Sequence, residues 1–396
     1  MEKKFFIRLL LLTFLFAISA RTYGNTNLHY RGIKKDQKNY AGVKNLVKQN
    51  AVKSDSGKTA GEFYKNIKVL KNIPASRLLP TMHFIEAALG MNCGNCHVRD
   101  QQKGWEFDKD KKPEKRKARM MIRMMESINN KSFKGHMAVT CFTCHRGSPD
   151  PQKIPAVLTE TSLKERRARE ASEDNIIKVP NRLNTAQQII DKFVSTIGGR
   201  NNYGKITSLK YEGTVNSNGR TASIVIYKKA PDLFYYSTKT GRGEMTLGYN
   251  GKTAWQQAVW GSRELKGDDL EGIKLESDFY TPADITPNYS GLKFNDVSII
   301  NGDTVYVVEG KASQHRNIKL YFNTRTGLLE RVILLNNTPL GSIPEETDFK
   351  DYRNVNGILI PFEMYRANND RVEDIKFENI TANTSVDNKI FDMPKK

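Results

Sequence analysis

All four cysteines of this 396-residue chain fall in two copies of one pattern, Cys93-Gly-Asn-Cys-His97 and Cys141-Phe-Thr-Cys-His145. No other feature restricts the fold so strongly. Two residues between thiols let one helical turn present both sulfurs to the same edge of a planar partner. The adjacent histidine then lies beneath the centre of that plane. Covalent haem attachment asks for this geometry: two thiols add across the vinyl groups of one porphyrin edge, and the histidine becomes the proximal iron ligand. The spacing therefore reads as c-type haem attachment, twice.

Other uses of the thiols fit less well. A four-cysteine zinc site has acceptable pair spacing but leaves His97 and His145 unexplained. A thioredoxin-like redox pair belongs in a βαβ setting, which the flanking sequence lacks. Two disulfides would each close a tiny loop with little entropic gain. The haem reading accounts for every cysteine and for both histidines.

The chain opens with Lys3 and Lys4, an apolar run from Leu9, and small residues from Ala17 to Ala20. This is the grammar of a secretory signal peptide over residues 1–20. The run is short for a membrane span, which needs about 20 residues. Export, with a periplasmic destination, is expected. In an oxidising compartment spare thiols form disulfides, and this chain has none to spare. Lys and Arg number 63 against 43 Asp and Glu, a formal net charge of +20. Such a field attracts acidic redox proteins, an anionic membrane surface or a membrane complex. No nucleic-acid recognition motif accompanies the charge, so nucleic acid is not expected.

A haem iron has a second axial position, and methionine there raises the potential, as suits an electron carrier. Met82, one helix upstream of Cys93, is the candidate for the first haem; Met91 lies too near Cys93 to reach the opposite face. For the second, the run Met120-Met-Ile-Arg-Met-Met125 offers four candidates. A methionine stripe is also ordinary core filling. His83 reads as a packing or surface residue, His136 is ambiguous, and His29 and His315 belong to no constellation.

The organisation follows from composition and periodicity. A basic tether is expected over residues 21–58, a mainly α dihaem module over 59–151, a charged linker over 152–182, and a β-rich domain over 183–396. Helices are predicted over 60–70, over 74–89 with Gly90 as stop and Pro80 as a potential kink, and over 113–129. A further helix is predicted from an Asn184 N-cap to a Gly199 stop. Beyond it, strands rich in Val, Ile, Tyr and Phe alternate with Asn218-Gly219, Asn250-Gly251, Asn301-Gly302 and Asn356-Gly357. Each pair is a hairpin signal. The expectation is a mostly antiparallel, curved sheet or incomplete barrel with a packed helix. Trp255 and Trp260 are core residues first and cavity-lining candidates second.

Residues 60–151 resemble the multihaem cytochrome c subunit of photosynthetic reaction centres. The similar passages run from Asn66-Ile-Lys-Val-Leu70 to Cys93-Gly-Asn-Cys-His97, and from Ala118-Arg-Met-Met-Ile-Arg-Met-Met-Glu-Ser-Ile-Asn129 to Val139-Thr-Cys-Phe-Thr-Cys-His-Arg-Gly147. The resemblance implies a distal methionine on the helix before each motif: Met82, and Met121 with Met124 as runner-up. It also implies that a histidine like His136 can serve a haem of the other half of a four-haem array. This chain has two motifs rather than four. Residues 183–396 more faintly resemble the lipoprotein-carrier family of the LolA/LolB type, through Tyr249-Asn-Gly-Lys-Thr-Ala-Trp255, Asp351-Tyr-Arg-Asn-Val-Asn-Gly-Ile-Leu-Ile-Pro361 and Phe391-Asp-Met-Pro394. That likeness implies a lipophilic ligand.

The function these readings predict is an exported dihaem c-type cytochrome, an electron carrier rather than an enzyme. Cys93, Cys96, Cys141 and Cys144 would hold two haems, with His97 and Met82 on one iron and His145 and Met121 on the other. The alternatives are a haem redox enzyme such as a peroxidase, with one iron lacking methionine, and a carrier of lipophilic ligands with accessory haems.

Overall fold

The computed structural model describes residues 57–102, 104–154, 159–160, 163, 167, 183, 185–240, 243–259 and 261–394. The expected signal peptide, nearly all of the tether, Trp260 and most of the charged linker lie outside them. Two compact units divide near Pro155.

The first unit is helical. α1 (Ala60–Phe63) begins at Thr59, which exchanges hydrogen bonds with Glu62. The predicted helix over 60–70 stops after one turn: Tyr64 is already extended, and Asn66 and Leu70 beyond it take left-handed backbone conformations that keep a right-handed helix from resuming. A 3₁₀ turn at Ala75–Arg77 leads into α2 (Leu78–Leu89). Pro80 falls in the first turn of α2, where its missing amide costs nothing. Gly90, at φ 60°, ends the helix as expected. α3 (Cys93–Cys96) is the first motif, followed by a small hairpin of β1 (Val98–Asp100) and β2 (Gly104–Glu106). α4 (Pro113–Ser132) starts with proline at N1 and runs one turn beyond the predicted end. α5 (Cys141–His145) is the second motif.

Asp110, just before α4, draws this unit together. Its carboxylate accepts from Arg119 at 2.7 Å, Lys115 at 3.0 Å, Lys68 at 3.1 Å and Asn66 at 2.9 Å. Arg119 also donates to the Asn66 carbonyl at 3.0 Å. The guanidinium of Arg119, first among these donors, holds the Asp110 carboxyl well below the usual carboxylate range.

The second unit is a single sheet of 13 strands in the order β8-β7-β6-β5-β4-β3-β15-β14-β13-β12-β11-β10-β9. The strands are β3 (Ser208–Ser217), β4 (Arg220–Lys229), β5 (Leu233–Thr240), β6 (Gly243–Asn250), β7 (Ala254–Ala258), β8 (Gly261–Glu264), β9 (Ser290–Ile300), β10 (Asp303–Ser313), β11 (Arg316–Asn323), β12 (Leu329–Thr338), β13 (Gly341–Val355), β14 (Ile358–Ala367) and β15 (Val372–Ala382). The order is a meander apart from one crossover, in which β15 returns to pair with β3. Three of the four Asn-Gly pairs form two-residue hairpins with both residues at positive φ: β3–β4, β9–β10 and β13–β14. The fourth, Asn250-Gly251, opens a wider turn in which the Asn250 side chain accepts from the amides of Lys252 and Thr253.

α6 (Ala186–Thr196), α7 (Gly199–Tyr203) and α8 (Asp268–Ser277) complete this unit. The N-cap of α6 is Thr185, whose hydroxyl accepts from Gln188; the predicted cap, Asn184, lies outside the described residues. α6 buries Ile189, Ile190, Phe193 and Val194 in one core with Ile224, Phe234, Leu247, Leu320, Phe322 and Ile375. Trp255 is a core residue, 1% exposed, and donates its indole N–H to the Phe391 carbonyl at 2.7 Å. Its ring lies over Gly248, where any side chain would collide with it.

Candidate functional site

Both motifs are short helical turns started by the same device. Asn92 accepts from the Gly94 amide at 2.9 Å, while Asn95 accepts from the Asn92 amide at 2.9 Å. At the second motif Thr143 Oγ1 accepts from the Thr140 amide at 3.0 Å, and Thr140 reciprocates. These are reciprocal capping boxes. They explain why four- and five-residue helices hold their shape. The sequence carried the signal: the same residue type precedes both cysteines of each motif, Asn92 and Asn95 in one, Thr140 and Thr143 in the other.

All four cysteines are free thiols, with Cys93, Cys96 and Cys141 partly buried and Cys144 exposed. Burial pushes the Cys96 and Cys141 thiols up from the ordinary range. Cys93 donates to Glu86 Oε1 at 3.1 Å, and the other oxygen of Glu86 meets His83 Nδ1 at 2.9 Å. His83 is thus held on α2 as a packing residue. Among the described residues, no three His, Cys, Asp or Glu side chains converge as a metal-ion cage. The four thiols therefore do not gather as a zinc site requires.

The first motif is enclosed on its histidine side. His97 lies edge-on to Phe107, with centroids 5.1 Å apart, and Trp105 stacks on Phe107. Burial, with Lys115 adding to it, pushes His97 down to about 4, against a smaller opposing effect of the Phe107 backbone. The imidazole is neutral near pH 7, the state in which nitrogen ligates a metal. Lys112, just before α4, reaches the Gly94 carbonyl and ties this motif to that helix. Met82 sits half-buried on α2, and Met91 donates its amide to the Glu86 carbonyl.

The second motif is more open. His145 Nδ1 lies 3.0 Å from the Ser148 carbonyl. A carbonyl only accepts, so Nδ1 carries the proton and a neutral His145 presents a bare lone pair at Nε2. On α4, Ile122 and Met125 pack inward, whereas Met120, Met121 and Met124 are 54%, 37% and 48% exposed. Three of the four methionine candidates therefore lie outside the packed face, and Met125 belongs to the core.

Asn129, at the end of α4, was not singled out from sequence. Its buried amide donates to the Val139 carbonyl at 2.7 Å, and its Oδ1 accepts from Ala138 and Val139 at 3.1 and 2.9 Å. No local pattern marks it; its role depends on a chain reversal ten residues long. A last contact joins the halves: the Gly147 amide donates to the Ala88 carbonyl at 2.9 Å, and Gly90 lies against the Gly147 carbonyl.

Each motif thus sets a thiol pair on one helical turn with a neutral or tautomer-fixed imidazole beside it, and thioether side chains stand on the helices α2 and α4; a covalently held c-type haem is a group such donors fit. Residues 21–196, under half of the chain, match the family described as photosynthetic reaction centre cytochrome C subunit.

Two relatives bear the name photosynthetic reaction center cytochrome c subunit. That of Rubrivivax gelatinosus is 32% identical over 108 residues, 26% of this chain and 28% of the relative. That of Thermochromatium tepidum is 30% identical over 141 residues, 33% of each. The match thus spans a third or less of those relatives. Two of the solved structures that match each cover about half of the chain. One is a DUF1329 family protein from Desulfovibrio piger (13% identity, 52% of this chain and 97% of that one, TM-score 0.40). Another is a LolA superfamily protein from Nitrosomonas europaea (12%, 53% and 98%, TM-score 0.36). Among the described residues, no helix is long and apolar enough to cross a membrane.

Proposed function

We propose that this chain is an exported dihaem c-type cytochrome that carries electrons between redox proteins. Cys93 and Cys96 hold one haem, with His97 and Met82 on its iron. Cys141 and Cys144 hold the other, with His145 and Met121, Met124 being the second choice. The observation that carries this reading is the hydrogen bond from His145 to the Ser148 carbonyl, which fixes the tautomer a proximal ligand needs, immediately beside a paired-thiol turn. The haems supply one-electron redox chemistry; the chain sets potential through axial ligands, burial and charge. With methionine on both irons there would be no open position for a substrate, the condition that separates a carrier from a peroxidase.

The test is a pyridine haemochrome assay with intact mass, on protein made in a host that matures c-type cytochromes. Two covalent haems per chain are expected; bound zinc and no haem would end the reading. High-spin ferric absorption persisting in one haem would favour the peroxidase alternative.

A second reading is carriage of a lipophilic ligand by the sheet unit, where Ile190, Leu292 and Phe294 line a shallow, open hollow together with Thr185, Gln187 and Lys293. Organic extraction of the purified full chain, followed by mass spectrometry, tests it: a stoichiometric lipid or quinone supports carriage, and an extract without one removes it.

A further inference from the structure

Between Glu126 and Asp150 the chain contains no acidic residue, while Lys131, Lys134 and Arg146 are cationic. Among the described residues none of these three cations takes part in an ion pair. The cations around the first motif behave differently: Lys68, Lys115 and Arg119 are all committed to Asp110, and Lys111 to Glu106. Three cations without an ion pair therefore stand around the second motif, with no acidic residue of the same segment to neutralise them.

That charge is displayed on a defined segment. Residues 130–138 are exposed without interruption. Asn129 closes the segment at its base: its carbonyl accepts from the Phe133 and Gly135 amides, and its side chain makes three hydrogen bonds to Ala138 and Val139. Residues 130–132 are the last turn of α4, and Lys134 and Gly135, both at positive φ, form the turn that ends the helix. The segment is thus a helix end and a pinned reversal rather than a loose strand of chain. It shows Phe133 and Met137, 41% and 48% exposed, between the two lysines. Cys141 follows the pinned base by two residues.

An apolar pair among unpaired cations, held on a fixed base next to a redox group, has the make-up of a transient docking site: charge steers the encounter and a small apolar contact seats it. We propose that the segment of residues 130–138 docks a small acidic redox protein, and that electrons enter or leave this chain at the second motif. The proposal rests on the dihaem reading above. The alternative use of the same charge, contact with an anionic lipid surface, is less well served, since two apolar side chains on a nine-residue segment offer little area to insert.

The test uses the full haem-loaded chain and flavodoxin, a small acidic one-electron donor, as probe. In wild type the bimolecular reduction rate should fall steeply as ionic strength rises. In Lys131→Glu/Lys134→Glu it should drop about tenfold or more at low salt and lose most of its salt dependence. Lys239→Glu/Lys252→Glu, an equal charge change on the sheet unit, should leave the rate near wild type. Reduction by uncharged tetramethylhydroquinone should be the same in all three proteins. An unchanged flavodoxin rate in Lys131→Glu/Lys134→Glu overturns the proposal, and so does an equal fall in the control. Equally fatal is binding to phosphatidylglycerol vesicles that depends on Lys131 and Lys134, without an effect on flavodoxin. Failure of the dihaem reading shows itself separately, as missing haem mass in the wild-type chain.

Discussion

His97 and His145 occupy equivalent places in the two motifs yet are prepared by different means, one by burial against Phe107 and the other by a backbone carbonyl. Single residues elsewhere carry comparable weight. Gly90 has a left-handed backbone and touches the Gly147 carbonyl. Gly90→Ala adds a conformational penalty of about 1–2 kcal/mol to a backbone collision. Chemical denaturation should therefore show a loss of at least about 2 kcal/mol. Asn129→Asp keeps the acceptor for Ala138 and Val139 but turns an oxygen toward the Val139 carbonyl. A cost of about 2 kcal/mol is expected from the lost donor and the new repulsion. Amide hydrogen exchange at Ala138 and Val139 should quicken, while exchange in the first motif stays as in wild type.

At the scale of elements, the β11–β12–β13 region contains a carboxylate out of its ordinary range. Glu345 accepts from Asn336 at 2.5 Å, and burial pushes its pKa up to about 7, with Arg316 opposing. A raised folded-state pKa means that the folded chain holds its proton more tightly than the unfolded one. The associated stability is full below about pH 4.5 and is lost as pH rises through 7. Thermal midpoints measured from pH 4 to 8 should decline over that window in wild type, and Glu345→Gln should remove that part of the decline. None of this was visible in the sequence, because the burial of Glu345 depends on which strands become neighbours. What was visible were elements with local causes. The Gly90 stop, Pro113 at N1 and three Asn-Gly turns are written in residues within a few positions of each other. The helix over 60–70 failed for a local reason of another kind: Tyr64 is extended, and Asn66 and Leu70 beyond it adopt left-handed conformations that neither residue requires. The repeated Cys-x-x-Cys-His pattern was plain in the sequence, and the caps of the two helical turns it forms could have been read there too. Asn129 could not, since its partners lie across a loop whose closure it creates.

For the whole molecule, each motif has its own cap, its own histidine environment and its own supporting contacts to α4. Haem attachment at one should therefore not depend on the other. Cys93→Ala/Cys96→Ala and Cys141→Ala/Cys144→Ala should each yield a chain with one covalent haem by intact mass, and a zero-haem product from either would contradict that independence. Backbone contact is another matter. The amide of Gly147, two residues past the second motif, is satisfied by Ala88, five residues before the first. Cutting the module between its halves would leave that donor and that acceptor without each other, at a join too close to admit even a methyl group. The halves look alike and read alike, but they are sewn through the main chain. A descendant of this module could trade many surface side chains at little cost; to change its number of motifs it would have to invent a new seam.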